Sequence, residues 1–358
     1  MKVMWLLAFA SSVMLAGKCF ADTTPEKTKS LIDYFLPIPV RGELSKDAWG
    51  AATVGPRDQK NGLEDPTMQK WNYWDGQIIK GGDGKWHMFA SRWDQAKGHK
   101  GWGSSCAVHA VSDDVIGPYQ DMGMCWPDNM HGKGHNVTAL AMPDGQYAIT
   151  VSETRPGEVF ASKVLEGPWA SLGKITVADQ PKWHASNVTP MLRPDGTYMI
   201  VQRSGQIMIS KEIVGPYKVQ GPSIYPTVKG LSLVSLEDPV AWYSGGFYHL
   251  VVNSWSARKA YHLTSKDGIN GWVLRGLAYD PTTDFVRYTD GTVNHWNKME
   301  RPSVLIQDGH VTHFTFAVVD VAKEAEHGND NHGSKVIVAP FDGAAMDRDL
   351  QAREDAGH

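Results

Sequence analysis

The chain has 358 residues, with 35 Lys and Arg against 39 Asp and Glu and a formal net charge of −4 at pH 7. No basic stripe runs through it, so nucleic acid is not an expected ligand, and beyond the N-terminus no stretch is long and apolar enough to span a bilayer. Fourteen Trp and twelve Tyr make it aromatic-rich, which suits both β-sheet packing and sugar binding, because a flat apolar ring matches the C–H face of a sugar.

In chain order, Lys2, an apolar run over residues 3–17 and the small-residue end Cys19-Phe20-Ala21 read as a secretory leader over residues 1–21. Lys18 directly before Cys19 argues against a lipid anchor, so no membrane anchor is expected after cleavage. The protein is expected to be exported, periplasmic or secreted, as a monomer or small homo-oligomer; loss of Lys2 and Lys18 takes the net charge to −6. Residues 22–70 form a lead-in segment.

Residues 71–342 carry a unit repeated five times. Its openings are Trp74-Asp75-Gly76, His135-Asn136-Val137, Ser186-Asn187-Val188, Glu237-Asp238-Pro239 and Glu300-Arg301-Pro302. Each leads through a strand to a hairpin signal: Asp83-Gly84, Asp144-Gly145, Asp195-Gly196, Gly245-Gly246 and Asp308-Gly309. The second motif residues are 61, 51, 51 and 63 positions apart. A Gly-Pro-aromatic turn recurs at Gly117, Gly167 and Gly215, and further strand-like runs bring each unit to about four strands. This period predicts an all-β fold, a five-bladed β-propeller with about four antiparallel strands per blade. A β-sandwich with accidentally similar hairpins is the competing reading. The fifth unit stops at its third strand, over 335–339, so its outermost strand is missing or supplied by the segment before Asp75.

Cys106 and Cys125 fall on the third and fourth strands of the first unit, where a disulfide and two buried thiols are both open readings, and their spacing does not suggest zinc. Residues 343–358, with interleaved charges from Asp347 to Asp355, read as a solvated tail.

Inner strands of a propeller line its axis, so the five openings converge at one end of the channel, and each second strand returns to that rim. This gathers Asp75, Glu153, Glu237, Asp238 and Glu300 with Arg92, Arg203 and Arg301. Trp74, Trp93, Trp255, His135, Asn136 and Asn187 belong to the same rim. So many polar groups at an axis suggest a site, since burial without partners is costly. Simpler uses exist: Asp75 as a strand cap, Glu237 pairing with Arg203 or Arg301, Glu300 and Arg301 as a structural pair, the tryptophans as packing.

At these residues the sequence resembles the five-bladed propeller glycoside hydrolases of the furanosidase clan, especially family 43, over residues 71–342. That family opens its first blade with a general-base Asp, usually followed by Pro, and its fourth with Glu-Gly-Pro carrying the general acid. The resemblance places Asp75 at the base and Glu237 of Glu237-Asp238-Pro239 at the acid. It departs at Asn187, where the family has an Asp that tunes the acid, and at Gly76 in place of Pro. Asp238 could take over part of the tuning, and His135 or Glu300 is an alternative proton donor. Acetal hydrolysis needs a proton on the departing oxygen and a base for water, with the carboxyls roughly 6.5–9.5 Å apart for inversion.

The expectation is an exported, exo-acting glycosidase trimming oligosaccharides or polysaccharide side chains. A uronate-specific polysaccharide lyase and a non-catalytic sugar-binding propeller are the alternatives. No cofactor is required. Some members of that family hold calcium or a water on the axis, so a central Ca2+ near His135 or His295 is considered, as is a cation in the loop from His327 to His332.

Overall fold

The computed structural model describes residues 28–45 and 52–357; the expected leader lies outside them. Five antiparallel sheets follow one another along the chain, each a simple meander. Blade one holds strands Trp71–Lys80, Trp86–Asp94, Cys106–Ser112 and Gln120–Met124. Blade two holds Thr138–Ala141, Tyr147–Val151, Glu158–Ser162 and Ala170–Lys174, and blade three the short strands Met191–Leu192, Tyr198–Val201, Ile207–Ser210 and Lys218–Val219. Blade four runs Leu236–Ser244, Phe247–Ser254, Lys259–Ser265 and Val273–Tyr279. Blade five has three strands, Lys298–Gln307, His310–Val319 and Ser334–Pro340.

Alternation along the strands sends apolar side chains to both faces of each blade, so the core lies between blades. Phe89 and Cys125 of blade one pack with Val137, Ile149 and Phe160 of blade two. Val159 of blade two meets Ile200 and Met208 of blade three, and Val201 and Ile207 meet Leu250 and Leu263 of blade four. The largest cluster joins blades four, five and one through Trp242, Phe314, Phe316, Val336, Met88 and Tyr73. Each such large side chain contributes about 1.5–3 kcal/mol by leaving water.

The open edge of blade five is covered by the segment before Asp75. Leu63 and Val336 exchange both backbone hydrogen bonds at 3.0 Å, and the Asn61 amide bonds Val338 N–H and C=O at 2.8 and 2.9 Å. Further back, Phe35 bridges Phe341 and packs its ring among Phe285, Phe314, Phe316 and Phe341. The lead-in thus ties the last blade to the first.

One expectation is corrected, and of the two open readings of the cysteines one is found. Residues Gly343–Asp355 form an α-helix capped by Asp342, with Met346 and Leu350 buried four residues apart and Asp347 buried too; an apolar pair on one helical face outweighs the interleaved charges. Cys106 and Cys125 are free thiols. Cys125 N–H bonds Ala107 C=O, so Cys125 shares a face with Ala107, and Cys106, one residue away, points to the other.

Candidate active site

The five second-position motif residues share one backbone conformation. Asp75, Asn136, Asn187, Asp238 and Arg301 have φ of 69°, 53°, 48°, 50° and 48°. Strand pairing skips a register there in blades one, four and five. Asp and Asn tolerate this left-handed conformation because their short polar groups bond locally, whereas for Arg it is uncommon. A bulge of this kind bends the strand and re-aims the side chain. The neighbouring Gly76 has φ 124°, and a Cβ there would lie 2.4 Å from Val336 Cγ1. Proline, held near −65°, could not take that place, which accounts for the sequence departure.

These residues link the blades in a closed belt. Asp75 Oδ2 accepts Val137 N–H at 2.8 Å, and Asn136 Nδ2 donates to Asn187 Oδ1 at 2.9 Å. Asn187 Nδ2 donates to Glu237 Oε2 at 3.5 Å. Arg301 joins blades four and one by donating to Asp238 Oδ1 at 3.4 Å and to Asp75 Oδ1 at 3.0 Å. Ser91 Oγ also donates to Asp75 Oδ2. Asp75 therefore has three donors, and one acceptor site on Oδ1 remains.

Above the belt lies a cavity of about 440 Å³ lined by every expected site residue except Asp75, Arg92, Trp93 and Trp255. Asp75 is buried within the belt. Arg92 pairs with Asp121 and lies over the Trp71 ring. Trp93 is buried against Trp74 and His99, its Nε1 donating to Gly98 C=O at 3.0 Å, so it anchors the loop between the second and third strands of blade one. Trp255 stands outside the cavity with Lys298 over its ring.

Glu237 sits in the cavity with a largely buried side chain. Burial, then the Asp238 and Glu300 carboxylates, pushes its carboxyl up to about 8, against the opposing fields of Lys323 and Arg203. Arg203 Nη2 is 3.2 Å from Oε2, the oxygen that Asn187 also approaches. Oε1 is left to carry the proton. Burial likewise raises Asp238, with Arg301 opposing. Glu300 takes a salt bridge from Lys323 and lies 3.6 Å from Lys298.

His135 is buried, and desolvation lowers its pKa to about 4, so it is neutral at neutral pH. Ser105 Oγ donates to Gly134 C=O at 2.9 Å. The 3.0 Å contact between Ser105 Oγ and His135 Nδ1 then requires Nδ1–H as donor. Nε2 is left as an acceptor, which removes His135 as a proton donor.

Lys323, Glu324, His99, Lys100 and Trp102 also line the cavity and were absent from the sequence reading. They come from the long loops after the second strands of blades one and five. The one signal for the first loop was the step of 61 residues where its neighbours are 51.

Glu237, Asp238 and Glu300 bring carboxylate oxygens within 4.8 Å of one another, a grouping a dication could use. Lys323 and Arg301 already hold two of these carboxylates. Calcium takes roughly six to eight oxygens, so the donor set fits the two cationic side chains and not calcium. His295 pairs with Asp284 outside the cavity. The 327–332 loop closes on itself through Asp330, which accepts His327 N–H at 2.7 Å and His332 N–H at 3.2 Å.

No protein-family model and no curated protein sequence matches the chain. Among solved structures it is similar to a family 117 glycoside hydrolase of the marine bacterium Zobellia galactanivorans, with TM-score 0.53 and 13% identity over 79% of this chain and 88% of that one. A family 43 β-xylosidase/α-arabinofuranosidase from a compost microbial metagenome, described in a calcium-free form with xylotriose, gives TM-score 0.52 and 13% identity over 79% and 94%. A further glycoside hydrolase gives TM-score 0.59 and 14% identity; the match covers 78% of this chain but only 61% of that one. At such identity the likeness establishes the fold: a five-bladed β-propeller of the architecture used by these hydrolases. Its blade openings meet at one polar axial cavity.

Proposed function

We propose that this protein is an exported glycoside hydrolase that removes a terminal sugar from oligosaccharides or polysaccharide side chains. The observation that carries this is the pairing of environments at the propeller axis: a cavity-lining Glu237 carboxyl that keeps its proton to about pH 8, and, in the belt directly beneath, an Asp75 carboxylate fixed by Arg301, Ser91 and Val137. Blades four and one, which supply them, are bridged by Arg301 of blade five. Separate environments for two carboxyl groups are what acid and base roles need.

Glu237 donates its proton to the departing glycosidic oxygen as the bond to the anomeric carbon breaks. Asp75, through the free acceptor site on Oδ1, takes a proton from the water that attacks that carbon, and the proton returns to Glu237 through solvent. The positive charge developing on the sugar is offset by the Asp238 and Glu300 carboxylates, themselves held by Arg301 and Lys323. His135 Nε2 accepts a sugar hydroxyl, and the half-exposed Trp102 ring offers an apolar face. The belt closes the floor of the cavity, a dead end suited to receiving a terminal sugar.

Product analysis on a glycan panel tests the reading. Release of a monosaccharide by wild type, abolished in both Asp75→Asn and Glu237→Gln, is expected. An unsaturated uronate product, or hydrolysis surviving Glu237→Gln, overturns it.

A further inference from the structure

Blades one and four carry the same histidine stack on their second and third strands. His87 Nδ1 faces His109 Nε2 at 2.8 Å, and His249 Nδ1 faces His262 Nε2 at 3.0 Å. The ring planes agree within 9° and 5°. In blade four the remaining nitrogen, His249 Nε2, is closed over by Ser244 Oγ and C=O, both at 3.3 Å, with Trp242 stacked on the ring. The blade one counterpart borders a cavity of about 660 Å³ lined by carboxylates. His87 Nε2 lies 3.2 Å from Asp83 Oδ1, in its own blade's hairpin turn, and 4.0 Å from Glu166 Oε1, in a turn of blade two.

We propose that His87, Asp83 and Glu166 form a binding site for a divalent transition-metal ion of the zinc type. Their ligand atoms lie within 4.8 Å of one another. Tetrahedral zinc with bonds of about 2.0–2.2 Å separates its ligand atoms by roughly 3.3–3.5 Å, close to the first distance and reachable for the second by a small movement of the exposed Glu166 side chain. His109 supplies the outer partner: it can accept His87 Nδ1–H, which leaves the Nε2 lone pair for a metal. Two carboxylates balance the charge of a dication. Lys85, on the same cavity wall, is engaged with Asp113.

The backbone keeps the space open. A Cβ on Gly81 would stand 2.4 Å from Asp83 Oδ1 and 2.6 Å from His87 Nε2, so glycine leaves clear the volume that an ion would occupy. Three protein ligands leave a fourth position for water. Because Glu166 belongs to blade two, the ion would also cross-link two blades.

The test is titration of the purified, metal-stripped protein with Zn2+ by calorimetry and with Co2+ by visible absorption. Wild type is compared with Asp83→Asn/Glu166→Gln, whose side chains are 43% and 59% exposed and so can change without cost to the core, and with Gly81→Ala. One ion per chain in wild type is expected, with affinity at least about tenfold weaker in both variants and a Zn2+-dependent rise in Tm that they lack. No binding by wild type, or equal binding in all three proteins, overturns the site and leaves an ordinary imidazole–carboxylate hydrogen bond.

Discussion

Arg301 donates its Nε–H to Asp75 Oδ1 at 3.0 Å, joining the last blade to the first with both side chains buried. The same guanidinium reaches Asp238 of blade four. Arg301→Met strands two buried carboxylates, and removing one partner of a buried ion pair costs about 3–5 kcal/mol. Urea denaturation should show a loss of that size. A loss below about 1 kcal/mol would mean that the belt does not hold the ring closed.

The proposed role of Glu237 as acid implies an alkaline limit on activity. Such an acid works only while protonated, and burial raises this carboxyl to about 8, so kcat/KM should fall above that pH. The slope should approach tenfold per pH unit.

The same shift governs stability with the opposite advantage for a mutant. The folded carboxyl titrates at about 8 and the ordinary one at 4.5, so its contribution is fully present below 4.5 and is lost as pH rises through 8. Glu237→Gln keeps a neutral side chain throughout. The Tm of Glu237→Gln should therefore match wild type near pH 4.5 and exceed it progressively toward pH 9. A constant difference across that range would show that Glu237 titrates normally.

Lys323 bonds Glu300 and lowers the Glu237 pKa by its charge. Lys323→Met removes that field, so the alkaline limb should move upward while kcat drops. A limb that stays in place would show that Lys323 only braces Glu300. The pH profile separates the two roles, since a packing defect alone lowers activity without moving the limb.

The belt was legible in the sequence because a left-handed bulge selects Asp and Asn, so Asp75, Asn136, Asn187 and Asp238 recur in phase and bring Arg301 with them. The second strands were read less well. Ser91 turns toward Asp75, so Arg92, the next residue, must face the other side of the sheet and meet Asp121 instead. His99 and Trp102 show in the period only as the longer first step, and Lys323 not at all, because they lie in insertions between strands, where no repeat constrains which residues stand there. Gly76 departs from the family's Pro, and the cause, the approach of Val336 from a strand about 260 residues away, is tertiary and so absent from the local sequence.

Trp102 offers a way to separate binding from chemistry. It lies on the cavity wall, remains 39% exposed and tilts over His135 with ring centroids 5.0 Å apart. Because the ring is half-exposed and belongs to none of the apolar clusters between blades, Trp102→Ala should leave Tm almost unchanged. A ring that binds the sugar face equally in ground and transition states contributes to KM and not to kcat. The expected result is a KM raised about tenfold at nearly constant kcat, the loss of roughly 1.4 kcal/mol of uniform binding. If kcat falls instead while KM holds, Trp102 acts through His135 on the reacting geometry, and the sugar must rest on another surface of the cavity.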